Sequence, residues 1–330
     1  MRHSFSAVSL SSVSTSVSLA LALLGGATLA PAAHAEAPMV KTQAPAYHRV
    51  LLGDFEITAI GDGTVKLPVT KLLHGKAEQH SKQLKANFLG DEVDTSVNAY
   101  LINTGSKLVL VDTGAGKLFG PTLGNVLANL KAAGYQPEQV DAVLVTHMHP
   151  DHVGGLMAGE QRAFPNATLH IDKKDVDFWL SKANMDAAPE GNKGFFQGAM
   201  ASVNPYVAAG KLKPFEGNTE LLPGIRAQAA NGHTPGHTVF VAESQGQKIA
   251  FWGDLMHVAA VQFNDPSVTI AFDTDSKAAR AQREQAFADA AKTGTLVGVT
   301  HVSFPGLGRL VKTADGKRYT WVPLNYMGLK

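Results

Sequence analysis

Cysteine is absent from all 330 residues. That excludes disulfide staples, a thiol nucleophile and thiolate metal ligands, so a metal held here is held by imidazole and carboxylate. Surplus charge is missing as well: 29 Lys and Arg stand against 28 Asp and Glu. Such a balance gives no electrostatic footprint for nucleic acid or an anionic membrane. No repeat, low-complexity tract or linker follows the N-terminal segment, and that uniformity points to one α/β domain. A long apolar run is also lacking. The most apolar stretch, Leu19 to Leu24, is far shorter than the roughly 20 residues a membrane span needs, which argues against an N-terminal anchor.

That stretch has another reading. Arg2 and His3 form a short polar start, and Ala33-His34-Ala35 gives a small-x-small pattern before Glu36. Residues 1–35 are therefore expected to be a secretory signal peptide cleaved after Ala35, with export of the remainder. Cleavage removes only Arg2 among charged residues, leaving 28 basic and 28 acidic. Residues 36–49 read as an Ala/Pro-rich arm, and 50–330 as the folded domain.

Along that domain, Leu51 to Ile60 alternates as a strand and breaks at Asp62-Gly63. Residues 70–92 read as a polar loop or short helix. Asn98–Asn103 and Lys107–Val111 form a hairpin about Thr104-Gly105-Ser106. Residues 121–134 have helical spacing (Leu123, Val126, Leu127, Leu130) and stop near Gly134. Asp141–Val145 is a short apolar strand, and 172–200 is helix-like with Trp179, Phe195 and Phe196 embedded. Another strand ends at Phe251-Trp252-Gly253-Asp254. Residues 276–292 form a helix with Asp275 or Ser276 as N-cap and Gly294 as C-cap. A last strand, Leu296–Thr300, runs to His301.

The chemistry is concentrated directly after Val145, in His147-Met148-His149-Pro150-Asp151-His152. In an extended turn His147 and His149 project to one side, and Asp151 and His152 follow on the next turn. Imidazole and carboxylate are ligands for zinc or a similar divalent ion. His233 or His237 in the loop Gly232–His237, Asp254 and His301 stand just past strands, where open α/β sheets place reactive groups. Seven ligands exceed what one ion needs and suffice for two that share a carboxylate.

With Asp112-Thr113-Gly114 upstream, this set resembles the metallo-β-lactamase superfamily in order and spacing over essentially the whole mature chain. The resemblance implies an αββα sandwich, two mixed sheets flanked by helices, with metals at one edge. It implies a first ion held by His147, His149 and His233, a second held by Asp151, His152 and His301, and Asp254 as bridge. His233, which precedes Thr-Pro-Gly, is the ligand by that mapping, and His237 is expected to be a hydrogen-bonded turn histidine. Two divalent ions, zinc foremost, would hold a bridging hydroxide as nucleophile, with Asp151 and Asp254 as the carboxylates beside it.

Lys107–Gly114, Leu118–Gly124, Gly194–Phe196 and Ala259–Phe263 further resemble the methyl parathion hydrolase branch of that superfamily. By that resemblance Phe119, Trp179 and Phe196 wall an aromatic pocket, with plain core packing as the alternative for each. Trp179, beside Asp175 and Asp177, is expected to be a half-exposed wall. The branch carries Arg, Leu, Thr and Leu where this chain has Leu72, His257, Ile270 and Phe272, all placed at the substrate mouth. His257 is either a base assisting the leaving group or a wall residue. These departures favour lactones and aryl esters such as dihydrocoumarin, with organophosphate triesters as a side or shared activity, and a dedicated methyl parathion hydrolase as the alternative. The resemblance also suggests a homodimer. A β-lactamase, a mononuclear iron persulfide dioxygenase and a non-catalytic metal-binding protein are the remaining readings.

Overall fold

A computed structural model describes residues 37–329. The expected signal peptide lies outside the described residues. Ala37–Gln43 contains no helix or strand, and a separate compact unit begins at Ala44.

Period-two alternation of apolar residues organises this unit into layers. The first sheet has seven strands in sequential order: β1 (Tyr47–Leu52), β2 (Phe55–Leu67), β3 (Val93–Asn103), β4 (Leu108–Val111), β5 (Ala142–Leu144), β6 (Thr168–Asp172) and β7 (Leu212–Phe215). Its first half is antiparallel, and β4 to β7 pair in parallel. The second sheet is also sequential: β8 (Thr219–Leu222), β9 (Ile225–Ala229), β10 (Thr238–Ser244), β11 (Gln247–Phe251), β12 (Leu296–Gly298), β13 (Leu307–Lys312) and β14 (Tyr319–Pro323). Only β11 and β12 pair in parallel there.

Successive side chains go to opposite faces. In β3, Tyr100 and Ile102 enter the core between the sheets, against Phe240, Ile249 and Phe251, while Ala99 and Leu101 enter the core under the helices. In β10, Phe240 and Ala242 face the inter-sheet core, and Val239 and Val241 face the outer helix Ser276–Thr293. Burial on both faces of each sheet gives the expected αββα sandwich.

Several local expectations change. The segment read as one strand from Leu51 is a hairpin, because Gly53 turns the chain at φ +59°. Strand pairing starts at Tyr47, within the stretch read as an arm. The break read at Asp62-Gly63 is a register shift inside β2. There the Asp62 carboxylate accepts from the N–H groups of Ala115 (2.9 Å) and Val126 (3.1 Å), and burial pushes its pKa up. The helix expected over 121–134 is only Val126–Ala132. Gly124, at φ +91° with its Cβ direction 2.3 Å from the Gly116 carbonyl oxygen, cannot be helical. By contrast, the helix expected at 276–292 runs Ser276–Thr293, with the Asp275 side chain accepting from Ala278 N–H and Gly294 left-handed at φ +67°.

Candidate metal centre

The parallel strands deliver the candidate ligands to one edge. His147 follows β5 by three residues, Asp254 follows β11 by three and His301 follows β12 by three. His233 comes from the β9–β10 loop. Inter-strand hydrogen bonds carry this edge across both sheets: Thr238 N–H to Thr146 O (2.9 Å) and Asn98 N–H to Thr300 O (3.1 Å).

The donor atoms form two sets about one carboxylate. On one side, Asp254 Oδ2 lies 3.6 Å from His147 Nε2 and 3.3 Å from His233 Nε2, and His233 Nε2 lies 3.0 Å from His149 Nδ1. On the other, Asp254 Oδ1 lies 3.1 Å from both His152 Nε2 and His301 Nε2, which in turn stand 3.5 and 3.6 Å from Asp151 Oδ2. Each set therefore gathers within 4.8 Å. Tetrahedral donors bonded at about 2.0–2.1 Å to a common ion stand roughly 3.3 Å apart, so these spacings suit cations better than direct contacts. His147 Nε2, His152 Nε2 and Asp254 Oδ1 are shielded from solvent and lack hydrogen-bond partners among the described residues. Orphaned buried donors are costly unless something completes them, and two divalent cations fit. The clustered His and Asp residues support a dinuclear divalent site.

The surrounding groups fix which nitrogen faces inward. His152 Nδ1 contacts Asp112 Oδ2 (2.8 Å), His233 Nδ1 contacts Asp273 Oδ1 (2.9 Å) and His301 Nδ1 contacts Ser96 O (2.8 Å). His147 Nδ1 lies 3.1 Å from Thr146 Oγ1. Such partners orient metal-binding imidazoles and raise their basicity. Asp112 sits at φ +57°, a costly backbone for a residue other than glycine, while accepting from both the N–H and the hydroxyl of Thr146.

Electrostatics agree with the geometry. Burial holds His147 and His149 well below the usual imidazole range, the neutral form a ligand needs. At His152 burial opposes protonation too, but Asp254, Asp151 and Asp112 outweigh it and hold the ring well above that range. At His233 the carboxylates of Asp254 and Asp273 likewise overcome burial, giving a pKa of about 9. The pocket thus favours positive charge.

Two residues that carry this arrangement, Asp175 and Asp273, are not legible as such in the sequence. Asp175 is fully buried and accepts from Met148 N–H (3.0 Å), Thr234 Oγ1–H (3.0 Å) and Gly236 N–H (2.6 Å). It clamps the loop holding His147 and His149 to the loop holding His233. Burial pushes its pKa up to about 6. Asp273, which anchors His233, also accepts from Ile270 N–H (3.1 Å). His237 is the hydrogen-bonded histidine expected, and its bonds are specific: Nδ1 faces Ala230 O (3.2 Å), and Nε2 accepts from Asp254 N–H (3.0 Å).

Beside His149 lies a cavity of about 340 Å³ lined by Phe178, Trp179, Phe195, Phe196 and Phe272, among others. Trp179 and Phe196 line this cavity, and Trp179 is only 4% exposed, not half-exposed. The reason is Asp175: its inward hydrogen bonds turn that helix face toward the core. Phe119 does not line this cavity and packs with Val65, Val97, Ala115 and Leu123. Ile270 is fully buried with Val69, Leu73 and Val261 rather than at a mouth, and Leu72 packs against the same cluster. Both are held there by local pairing, since Leu73 bridges Ile270 and Leu72 O accepts from Ala271 N–H (2.9 Å). His257 is buried with Nε2 3.1 Å from Asp254 Oδ2.

The sequence and fold both have relatives. The model of the metallo-beta-lactamase superfamily matches residues 93–301. An N-acyl homoserine lactonase of Bacillus sp is 28% identical over 175 residues, covering 47% of this chain and 62% of that protein. The chain thus spans somewhat less than two thirds of that relative's length. Among solved structures, the hydrolase AbOPH of the beta lactamase superfamily superposes with a TM-score of 0.82 at 36% identity, covering 87% of this chain and 100% of its own. AidC, a dizinc quorum-quenching lactonase bound to N-hexnoyl-L-homoserine, gives 0.79 at 29% identity, covering 86% and 99%.

Proposed function

This chain belongs to the metallo-beta-lactamase superfamily and is a metal-dependent hydrolase, and from that premise we propose that it opens lactones and cleaves aryl esters, with organophosphate triesters as slower substrates. The observation that carries this reading is the placement of two donor sets, joined at Asp254, against an aromatic cavity whose wall includes the ligand His149. A small apolar acyl or aryl group fits such a cavity. The lactonase names of two relatives agree in substrate class.

His147, His149 and His233 would hold one ion, Asp151, His152 and His301 the other, with Asp254 between them. Bound there, two ions would supply an activated water and polarise the scissile oxygen. The chain's own groups do the rest. Asp254 turns one oxygen to each set, and His237 fixes the backbone it projects from by accepting its N–H. The aromatic walls exclude water from the reacting bond and hold the ring or acyl chain beside His149. A phenolate-like leaving group departs without protonation, and the alkoxide of an aliphatic lactone takes the proton that the attacking water gives up, so no separate proton source is required. Zinc is the ion we propose, by the ligand set and the dizinc neighbour. Export with cleavage after Ala35, and homodimerisation, belong to the same proposal. They rest on the N-terminal pattern and the resemblance respectively, and intact mass and light scattering on the native protein test them.

A panel on the zinc-loaded protein tests the substrate class. Dihydrocoumarin, p-nitrophenyl acetate and an N-acyl homoserine lactone are expected to turn over faster than methyl parathion, and a cephalosporin not at all. Fastest turnover of the cephalosporin, or none of any substrate after zinc, cobalt or manganese loading, contradicts the reading.

A further inference from the structure

His257 stands apart from the seven residues assigned above, yet it is built into the same centre. Its Nε2 approaches Asp254 Oδ2 to 3.1 Å, nearer than His147 or His233. Asp254, His257 and His301 themselves form a set with one donor atom each within 4.8 Å. The ring stacks on His301 (5.2 Å between centroids, 19° between planes) and tilts against His233 (5.0 Å). Both of its nitrogens are shielded from solvent and lack a properly directed hydrogen bond among the described residues, as do the inward nitrogens of His147 and His152.

The backbone beneath it is held unusually firmly. Gln262, fully buried, accepts with Oε1 from the N–H groups of His257 (2.7 Å) and Val258 (2.9 Å), and donates from Nε2 to Val268 O (2.9 Å). Arg283, also buried, donates to Leu255 O (3.0 Å), Val268 O (2.7 Å) and Pro266 O (2.8 Å). Two long polar side chains are thus buried to fix the turn from Asp254 to His257. A packing residue needs no such fixation, and an apolar side chain would fill the space without two orphaned nitrogens.

We propose that His257 is an eighth donor to the metal centre, presenting Nε2 to a divalent ion of the zinc or cobalt class that Asp254 and His301 also face. This rests on the dinuclear reading above. The rival role is a hydrogen bond that merely positions Asp254, and the two are separable because glutamine can keep a hydrogen bond without supplying an imidazole.

The test uses the full chain loaded with cobalt(II), with His257→Gln and His257→Leu alongside the parent. Paramagnetically shifted, exchangeable imidazole N–H resonances are expected from His147, His149, His152, His233 and His301, with one more from His257. That additional resonance should vanish in both variants while the others remain, and the visible cobalt spectrum should change in both. Zinc affinity, measured by chelator competition, should fall at least about tenfold, the lower end of what losing even a partner of a ligand causes. Parent-like spectra and affinity in both variants overturn the proposal. So does a glutamine variant that matches the parent while the leucine variant does not, since that assigns only positioning. A parent chain that takes up no cobalt overturns this inference and the dinuclear reading together.

Discussion

Asp254→Asn is expected to lower kcat/KM for the best lactone on the order of 10³-fold or more, and to leave the chain binding fewer than two metal equivalents. Among the described residues, Asp254 alone faces both donor sets, with Oδ2 toward His147 and His233 and Oδ1 toward His152 and His301. An amide keeps the shape but offers one good acceptor and no charge. Metal-derived stabilisation is worth several kcal/mol, and each 1.4 kcal/mol is about a decade in rate. The fold should survive, because His237 still grips the backbone N–H of residue 254. Parent-like activity with two bound ions would remove Asp254 from the centre.

Gly155→Ala is expected to destabilise the protein by about 3 kcal/mol or more, or to prevent its accumulation. A Cβ at Gly155 would stand 1.9 Å from the Thr113 carbonyl oxygen, and one at the neighbouring Gly154 would stand 2.0 Å from that of Ala115. Both obstacles are backbone, so no side chain can yield. The contact is tight for a reason: Thr113 N–H and hydroxyl both donate to His152 O (2.9 and 2.8 Å), and Gly155 N–H donates to Gly114 O (3.0 Å). The turn after the histidine cluster is thereby bolted to the loop that presents Asp112. Gly194→Ala is the control, for it is helical with nothing within 4 Å of the added carbon. Alanine there should be neutral or stabilise by up to about 1 kcal/mol. Chemical denaturation of the three proteins checks the pair, and equal midpoints would contradict the account.

The site was legible where the chemistry is local. His147 to His152 lie within six residues, and Asp254 and His301 each follow an apolar strand whose end can be read from composition. The Ser276–Thr293 helix was legible because both of its caps are in the text. What escaped depends on contacts between distant segments. Asp175 reads as one more charge in Lys173–Trp179, yet it reaches Gly236, 61 residues away, and so determines which face of that helix is buried. Asp273 finds His233 across 40 residues, and Arg283 finds Leu255 across 28. The pocket suffered most. Phe119, Ile270 and Trp179 were placed by resemblance, and only packing decides that the first two join other clusters while Trp179 lines the cavity almost fully buried.

Hydrolysis at this centre is expected to need both donor sets. Metal-free protein titrated with zinc, with dihydrocoumarin hydrolysis followed at each addition, tests it most directly. Activity is expected to reach its plateau only at two equivalents per chain. Full activity at one equivalent, or two tightly bound ions without hydrolysis of any lactone or aryl ester, would contradict it.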